Sequence, residues 1–133
     1  MRLVSDDDLG IITVFQEAEG EPYEGKVAVA EVILRRTERK YMSDGTIAGT
    51  VLRRYQFSGF NTESPNRVRS FKVDTEDQNV SDCARAWSEA KAGSNLVPDC
   101  LHYLNPKLCE PSWVIGATVV KTIGNHKFLI VKE

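Results

Sequence analysis

Residues 15–34 read FQEAEGEPYEGKVAVAEVIL, and this stretch predicts the end of one helix followed by the body of the next. Upstream, Ser5 followed by Asp8 has the spacing of a capping box, in which a hydroxyl and a carboxylate satisfy N–H groups at the start of a helix. We therefore predict a first helix that runs to about Ala18. Gly20 is placed to end it, because glycine accepts the left-handed conformation of a C-terminal cap.

The second helix is predicted to run from Pro22 to about Arg36. Proline suits the first turn of a helix, where a missing N–H costs nothing. Apolar residues then recur at helical spacing and predict one buried stripe, formed by Tyr23, Val27, Ala30 and Leu34.

Further along, the chain predicts two more helices and then a hairpin. The helices fall at 46–52 and 75–92. Strand patterns at 119–123 and 126–131 flank the tight turn Gly124-Asn125. Helices first and an antiparallel hairpin last indicate an α+β fold, mainly helical with a small C-terminal hairpin or sheet.

The composition fits one soluble domain over residues 1–133. The chain is 41% apolar and 27% charged, and both values are ordinary for globular proteins. No apolar run approaches the roughly 20 residues of a membrane span, and the N-terminus lacks the apolar core of a secretory signal. We therefore expect a protein made in the cytoplasm, with no membrane span, that reaches any extracellular target by other means.

The cysteines predict neither a disulfide framework nor a metal site. Three cysteines are too few for a framework, so free thiols are expected at Cys83, Cys100 and Cys109. These residues and the histidines His102 and His126 have ligand chemistry, but no closely spaced ligand pair prepares a zinc tetrahedron. We expect no metal and no cofactor.

Charge is distributed unevenly along the chain. Residues 1–34 carry eight acids and two bases, whereas residues 35–72 carry nine bases and three acids. The basic segment could attract an anionic polymer, although a solvated surface with helix ion pairs explains it equally well. Nucleic acid is not the expected partner, since the chain as a whole is acidic and no stacking motif accompanies the bases.

Glu17 is the candidate catalytic residue. It falls near the C-terminus of the first predicted helix, where the negative end of the helix dipole disfavours a carboxylate. An apolar site would raise its pKa further. A carboxylic acid that stays protonated near neutral pH is what glycoside cleavage needs. From spacing alone, a solvated glutamate in an acidic helix-end cluster is the more common case.

A resemblance to a known family favours the catalytic interpretation. The stretch at 15–34 closely resembles the opening motif of the spore-cortex-lytic (SleB-type) cell-wall hydrolases, which runs roughly (Y)-G-E-(A/S)-R-G-E-P-Y-E-G-(Q/K)-V-A-V-A-x-V-I-L-N-R. Three further segments resemble family motifs in the same order: YQFSGFN at 55–61, HYLNP at 102–106 and IGNHKF at 123–128. Together the four segments span almost the whole chain.

This resemblance implies a lysozyme-like fold and cleavage of the MurNAc–GlcNAc bond of peptidoglycan. Glu17 would be the catalytic acid of a lytic transglycosylase, which closes the muramyl ring to a 1,6-anhydro product. Tyr103 is expected to orient the acid. Asn105 is expected either to hold acetamido groups of the sugar or, equally, to have a structural role in a turn, since Asx-Pro segments favour turns. The other expected substrate-binding residues are Gln56, Ser58, Phe60 and Asn61. The expected partner is the peptidoglycan glycan strand, bound by a monomer.

Several positions depart from the family pattern. Phe15, Gln16 and Glu19 replace its tyrosine, glycine and arginine, and Gly59-Phe60 replaces a cysteine and tryptophan. Loss of the arginine removes a possible cation beside Glu17. A catalytic domain with neither signal nor wall-binding domain resembles a phage endolysin that acts in the periplasm of a Gram-negative host.

Three competing functions stay open beside the transglycosylase. A hydrolytic muramidase would use water in place of the C6 hydroxyl, and most hydrolytic glycosidases need a second carboxylate. Glu21 and Glu24 are available, although Glu21 is expected to be an ionised cap at the start of the second helix. A metal-dependent amidase or peptidase is the second competing function, and an inactive wall-binding module is the third.

Overall fold

The computed structural model describes residues 4–53, 77–109 and 111–131. Within these ranges the chain forms four α-helices: α1 (Asp6–Ala18), α2 (Tyr23–Arg39), α3 (Ile47–Val51) and α4 (Gln78–Lys91). They precede three strands: β1 (His102–Leu104), β2 (Thr118–Ile123) and β3 (His126–Ile130). A short 3-10 helix, Ser112–Val114, lies between β1 and β2. The prediction of a mainly helical α+β fold is confirmed.

Helix α1 begins at the predicted capping box, but Gly20 does not form its C-terminal cap. The Ser5 hydroxyl accepts the Asp8 N–H, and the Asp8 carboxylate accepts the Ser5 N–H, both at 3.1 Å. The prediction of a left-handed glycine cap was wrong, because Gly20 is not among the residues with positive φ. Instead, the buried Lys26 ammonium donates to the carbonyls of Glu19 at 3.2 Å and Glu21 at 2.6 Å. A cation at this point also complements the negative end of the helix dipole.

Helix α2 is the central element of the domain. All of its residues from Gly25 to Ile33 are buried, because α1, α3 and α4 pack around it. The prediction of a single buried stripe was therefore wrong, and the helix runs one turn further than expected, to Arg39. A helix that is buried all round positions the elements on each side of it.

Close packing fixes α1 against α4. Trp87 of α4 is 2% exposed, and its indole N–H donates to the Asp7 carboxylate at 2.8 Å. At Gly10 of α1, a β-carbon would lie 2.3 Å from the Trp87 ring, so only glycine permits this approach. This contact sets the course of α1, and with it the position of Glu17 at the far end of the helix. Trp87 is therefore part of the core.

The strands form an antiparallel sheet in the order β1-β3-β2. The predicted hairpin is confirmed as β2 and β3, which are joined at Gly124 and Asn125, with Gly124 at a φ of +57°. Strand β1 was not predicted, and it pairs with β3 so that Tyr103 lies opposite Phe128. The sheet thus brings residues of the HYLNP and IGNHKF segments side by side. In the part of the chain that the structure describes, no helix has the length and apolarity needed to cross a bilayer.

Candidate active site

The fold brings Glu17 and Tyr103 into direct contact. Glu17 lies in the last turn of α1, and Tyr103 is the middle residue of β1. The Tyr103 hydroxyl donates a hydrogen bond of 2.5 Å to Glu17 Oε1. Both residues are only partly exposed. The predicted catalytic residue and a predicted substrate-binding residue are therefore in contact, although they are 86 positions apart in the sequence.

The surroundings of Glu17 favour its acid form. Burial raises the pKa of the Glu17 carboxyl and outweighs the hydrogen bond from Tyr103 and the charge of Arg36, which both lower it. Burial also raises the pKa of the Tyr103 hydroxyl well above its ordinary value, so Tyr103 acts as a donor throughout the neutral range. The raised pKa extends the pH range over which Glu17 keeps its proton, as a general acid requires.

Aromatic packing holds Tyr103 in place. Its ring lies 5.2 Å from the His126 ring, at 61°, and 5.7 Å from the Phe128 ring, at 40°. Phe128 is fully buried and His126 is 8% exposed. Tilted and edge-on arrangements of this kind are the favoured geometries of ring pairs. The Tyr103 hydroxyl is consequently directed at Glu17 by a rigid support, in which His126 packs as a structural residue.

Glu21 connects the same sequence motif to the β2–β3 turn. Its carboxylate accepts the backbone N–H of Asn125 at 2.7 Å and the side-chain amide of Asn125 at 2.9 Å. Its Oε1 also lies 3.5 Å from His126 Nδ1. A β-carbon at Gly124 would lie 2.8 Å from this oxygen, so the turn requires glycine for space as well as for its φ. Glu21 therefore anchors the hairpin, rather than capping α2 as expected.

Arg36, which stands at the position of the arginine that closes the family's opening motif, is a site residue that the sequence analysis did not single out. It is 7% exposed, and its Nε donates to the Leu101 carbonyl at 2.7 Å. Its charge acts on both Glu17 and Tyr103. The site therefore has a cation, supplied by α2, although Glu19 occupies the position of the family's arginine. The closing arginine of the quoted V-I-L-N-R motif was the signal that separates Arg36 from the basic residues beside it.

Of the remaining predicted substrate-binding residues, only Asn105 lies within the part of the chain that the structure describes. Asn105 follows β1, and its side-chain oxygen accepts the Lys107 N–H at 3.0 Å, which closes an Asx turn. This turn keeps Asn105 close to Tyr103 along the chain, and its sugar-binding role stays a prediction. Gln56, Ser58, Phe60 and Asn61 lie outside the described residues, and so do the other residues of the 55–61 segment.

The cysteines and histidines are dispersed over the described structure. Cys83 and Cys100 are buried free thiols whose pKa burial raises to about 11, and Cys109 is exposed. His102 Nε2 lies 3.0 Å from the Tyr41 hydroxyl. Among residues 4–53, 77–109 and 111–131, no group of three or more potential ligands could hold a metal ion. Metal independence stays a prediction.

Part of the basic segment serves the fold. Arg35 donates to the carbonyls of Val97 at 2.9 Å and Cys100 at 2.8 Å. Arg39 forms an ion pair of 2.6 Å with Asp99. With Arg36 bound to Leu101, three of the arginines counted in 35–72 hold the segment that leads into β1. Their charge is therefore less available to an anionic polymer than the sequence count suggests.

Comparisons with known proteins agree with this geometry. The family model described as Cell Wall Hydrolase matches residues 20–129. The spore cortex-lytic enzyme of Bacillus subtilis is 29% identical over 126 residues, 93% of this chain, and that of Oceanobacillus iheyensis is 30% identical over 115 residues, 86% of this chain. The chain spans 38% of the length of each of these two relatives.

Two solved structures share the fold. The catalytic domain of the germination-specific lytic transglycosylase SleB from Bacillus anthracis superposes with a TM-score of 0.73 at 27% identity, covering 94% of this chain and 93% of that one. The catalytic domain of the Bacillus cereus SleB protein gives 0.72 at 26% identity, with 98% and 94% covered. The lysozyme-like, SleB-type fold is therefore confirmed, and the chain belongs to the cell wall hydrolase family.

Proposed function

We propose that this member of the cell wall hydrolase family is a lytic transglycosylase that cleaves the MurNAc–GlcNAc bond of peptidoglycan. The observation that carries the proposal is the contact between Glu17 and Tyr103, in surroundings that raise the pKa of the Glu17 carboxyl. The SleB domain from Bacillus anthracis, which has nearly the same extent, is a germination-specific lytic transglycosylase. Glycan strands of the cell wall are the substrate in this proposal.

In the first step Glu17 acts as a general acid. Tyr103 donates to Oε1 of Glu17, so the proton of the neutral acid belongs on Oε2. The bond between C1 of MurNAc and O4 of GlcNAc breaks, the bonding electrons stay with O4, and the Glu17 proton moves to O4. Positive charge develops at the muramyl C1, as in other glycoside cleavages. Glu17 is left as a carboxylate.

In the second step the same carboxylate acts as a base. The C6 hydroxyl of MurNAc attacks C1 and forms the 1,6-anhydro ring, and its proton passes to Glu17. The acid form of the enzyme is restored, and water takes no part. One carboxyl group that alternates between its two protonation states is sufficient for this sequence.

The neighbouring acids favour the intramolecular route over hydrolysis. A hydrolytic glycosidase needs a second carboxylate near the scissile bond. Glu21 uses both carboxylate oxygens to hold Asn125, and Glu24 is exposed in the first turn of α2. Neither side chain is bound to the Glu17–Tyr103 pair. Within the described residues, Glu17 therefore works without an evident carboxylate partner.

We further propose that the enzyme acts as a monomer and meets the wall in the periplasm of a Gram-negative host, as a phage endolysin does. Expression in the cytoplasm of such a host, with and without a separate membrane-permeabilising agent, tests this setting. Lysis that requires the agent supports the proposal. Lysis without it means that the enzyme reaches the wall by another route.

The activity itself is tested by digesting purified sacculi in H₂¹⁸O and analysing the released muropeptides by mass spectrometry. A transglycosylase gives 1,6-anhydro ends without ¹⁸O, because water does not enter the product. A hydrolytic muramidase gives reducing ends that carry ¹⁸O. Free stem peptides indicate an amidase or peptidase, and binding without release indicates an inactive wall-binding module. Each of these last three outcomes contradicts the proposal.

A further inference from the structure

Glu21 has a largely enclosed carboxylate that the proposed reaction does not use. Its side chain is 7% exposed. Its Oε1 accepts the backbone N–H of Asn125 at 2.7 Å, and its Oε2 accepts the side-chain amide of the same residue at 2.9 Å. Hydrogen bonds to an ionised carboxylate are stronger than those between neutral groups. Glu21 therefore ties the connection between α1 and α2 to the turn that precedes β3.

The β2–β3 turn lies against this carboxylate with little space between them. A β-carbon at Gly124 would lie 2.8 Å from Oε1 of Glu21 and 2.8 Å from Cδ of Pro22. Oε1 also lies 3.5 Å from Nδ1 of His126, the first residue of β3. The contacts of Glu21 therefore set where β3 begins relative to the end of α1.

His126 connects the turn to the reacting pair. Its ring packs edge-on against the Tyr103 ring, with centroids 5.2 Å apart, and lies 6.1 Å from the Phe128 ring. The side chain of His126 is 10% exposed, so the ring has little room to move independently of the strand. The Tyr103 hydroxyl in turn donates to Glu17 at 2.5 Å. By way of the turn and the two rings, a continuous set of contacts thus links Glu21 to Glu17, four positions before it in the sequence.

We propose that Glu21 is a positioning residue for the reaction, which holds the β2–β3 turn so that Tyr103 keeps its hydrogen bond to Glu17. This inference rests on the proposed function of Glu17 as acid and then base. Catalytic groups have to be held within about 0.5 Å of their productive positions, and the strength of a hydrogen bond depends steeply on its geometry. Glu21 acts through Tyr103 and needs no contact with the sugar.

Two variants separate the position of the Glu21 side chain from its charge. Glu21→Ala removes the charge together with all contacts to the turn. Glu21→Gln removes the charge but keeps the length of the side chain and an oxygen that can accept the Asn125 N–H. The matched control is Glu31→Gln, which alters a second enclosed carboxylate whose hydrogen bonds, from Ser94 and Val97, hold the loop after α4.

The test is the pH dependence of kcat and kcat/KM on short soluble glycan chains, for the wild type and these three variants. The alkaline limb of kcat/KM marks the loss of the Glu17 proton in the free enzyme. A displaced Tyr103 no longer stabilises the Glu17 carboxylate, so Glu21→Ala should move this limb to higher pH. Its kcat should fall roughly threefold to tenfold, with KM changed by less than about twofold. Glu21→Gln should restore most of kcat, and Glu31→Gln should lose stability with the limb unmoved.

The direction of the shift distinguishes position from charge. Removing a negative charge near Glu17 would by itself lower the pKa of the Glu17 carboxyl and move the alkaline limb to lower pH. A limb that is unmoved or moves to lower pH in Glu21→Ala would therefore overturn the inference, and so would an equal shift in Glu31→Gln.

A double-mutant cycle with Tyr103→Phe tests whether Glu21 acts through Tyr103. If it does, adding Glu21→Ala to Tyr103→Phe should lower kcat by less than about twofold, because residues that act through one another have non-additive effects. Two losses that multiply in the double variant would mean that Glu21 acts independently of Tyr103, which contradicts the inference.

If Glu21→Ala does not fold, Asn125→Ala is measured in its place. This variant removes the amide contact to Oε2 of Glu21 and keeps the backbone contact to Oε1. A limb at higher pH supports the inference. A limb that matches the wild type, or failure of this variant to fold as well, assigns Glu21 to the fold alone and overturns it. Wild-type digests without 1,6-anhydro ends refute the proposed function itself, whatever the variants do.

Discussion

Glu17 and Glu31 are both helical glutamates directed at the C-terminal half of the chain, and they are held in different ways. Glu31 of α2 is 3% exposed and accepts three hydrogen bonds, from the Ser94 hydroxyl at 2.6 Å, the Leu96 N–H at 2.9 Å and the Val97 N–H at 3.0 Å. Glu17 accepts one described hydrogen bond, from Tyr103. Both sites thus enclose a glutamate side chain, but among the described residues the Glu31 carboxylate accepts three hydrogen bonds and the Glu17 carboxyl accepts one.

The number of donors distinguishes the structural carboxylate of Glu31 from the proposed catalytic carboxyl group of Glu17. Three donors stabilise the charged form of a carboxylate in the interior. With the single donor Tyr103, burial outweighs the hydrogen bond and raises the pKa of the Glu17 carboxyl. The Glu31 region therefore fixes the loop after α4, whereas the Glu17 region keeps a proton available for transfer.

The largest expected effect is the loss of activity when Glu17 is replaced. We expect Glu17→Gln to lower the release of muropeptides from sacculi by about a hundredfold or more, because an amide cannot exchange a proton. The amide oxygen can still accept from Tyr103, so the fold should be intact by circular dichroism. Glu24→Gln, at an exposed position of α2, is the control and should keep most of its activity. A folded Glu17→Gln enzyme with near wild-type activity would refute the assignment.

Replacing Glu31 should affect stability instead of chemistry. Glu31→Gln removes the charge that three donors share and turns an amide NH₂ towards them. We expect the free energy of unfolding in urea to fall by about 2 kcal/mol, the scale of a hydrogen bond to a charged group. Turnover per folded molecule should stay near wild type. A large loss of turnover without a loss of stability would mean that the two regions are not distinct.

The substitution Tyr103→Phe removes the one described hydrogen bond that Glu17 accepts. The hydrogen bond stabilises the carboxylate, so its loss raises the pKa of the Glu17 carboxyl further. The alkaline limb of kcat/KM should move to higher pH, and the maximal rate should fall roughly tenfold, since about 1.4 kcal/mol corresponds to a factor of ten. The phenylalanine ring keeps the packing on His126 and Phe128. An unchanged pH profile would show that Tyr103 does not set the proton affinity of the acid.

The smallest expected effect is in the pH dependence of stability. Burial raises the pKa of Glu17 in the folded protein, so the folded state binds the proton more tightly than the unfolded chain does. The wild type therefore loses stability as pH rises from the unfolded value of about 4.3 through the folded value. Glu17→Gln lacks this loss and should have a higher Tm than wild type at neutral pH, with a difference that shrinks below about pH 4. A Tm difference that is constant with pH would contradict this account.

Local signals in the sequence were sufficient for the helices and the hairpin. Ser5 and Asp8 specify the start of α1 through contacts three residues apart, and Gly124 specifies the β2–β3 turn through its φ. Strand β1 could not be predicted in the same way, because three residues are too few to show an alternating pattern. It exists because β3 supplies its partner.

In the candidate site, too, some residues could be identified from the sequence and others only from their contacts in the structure. The family motifs identified Glu17 and Tyr103, and the structure brings them together. Glu21 and Arg36 also match letters of the opening motif, but the contacts that define their roles, like those of Glu31, join residues more than 60 positions apart and have no periodic or spacing signal. Each of these residues also carries a charge, which a sequence analysis assigns by default to the solvated surface.

The separation of Glu17 from Tyr103 also has a consequence for biosynthesis. Their hydrogen bond joins residues 86 positions apart, and the bond from Asn125 to Glu21 spans 104. A nascent chain that has emerged only as far as α4 can pack its helices, but the acid at the end of α1 still has no tyrosine beside it. Contacts this distant in sequence form late, after the loops between them have closed. In the proposed function, lytic activity therefore requires a chain that has been synthesised at least as far as β3.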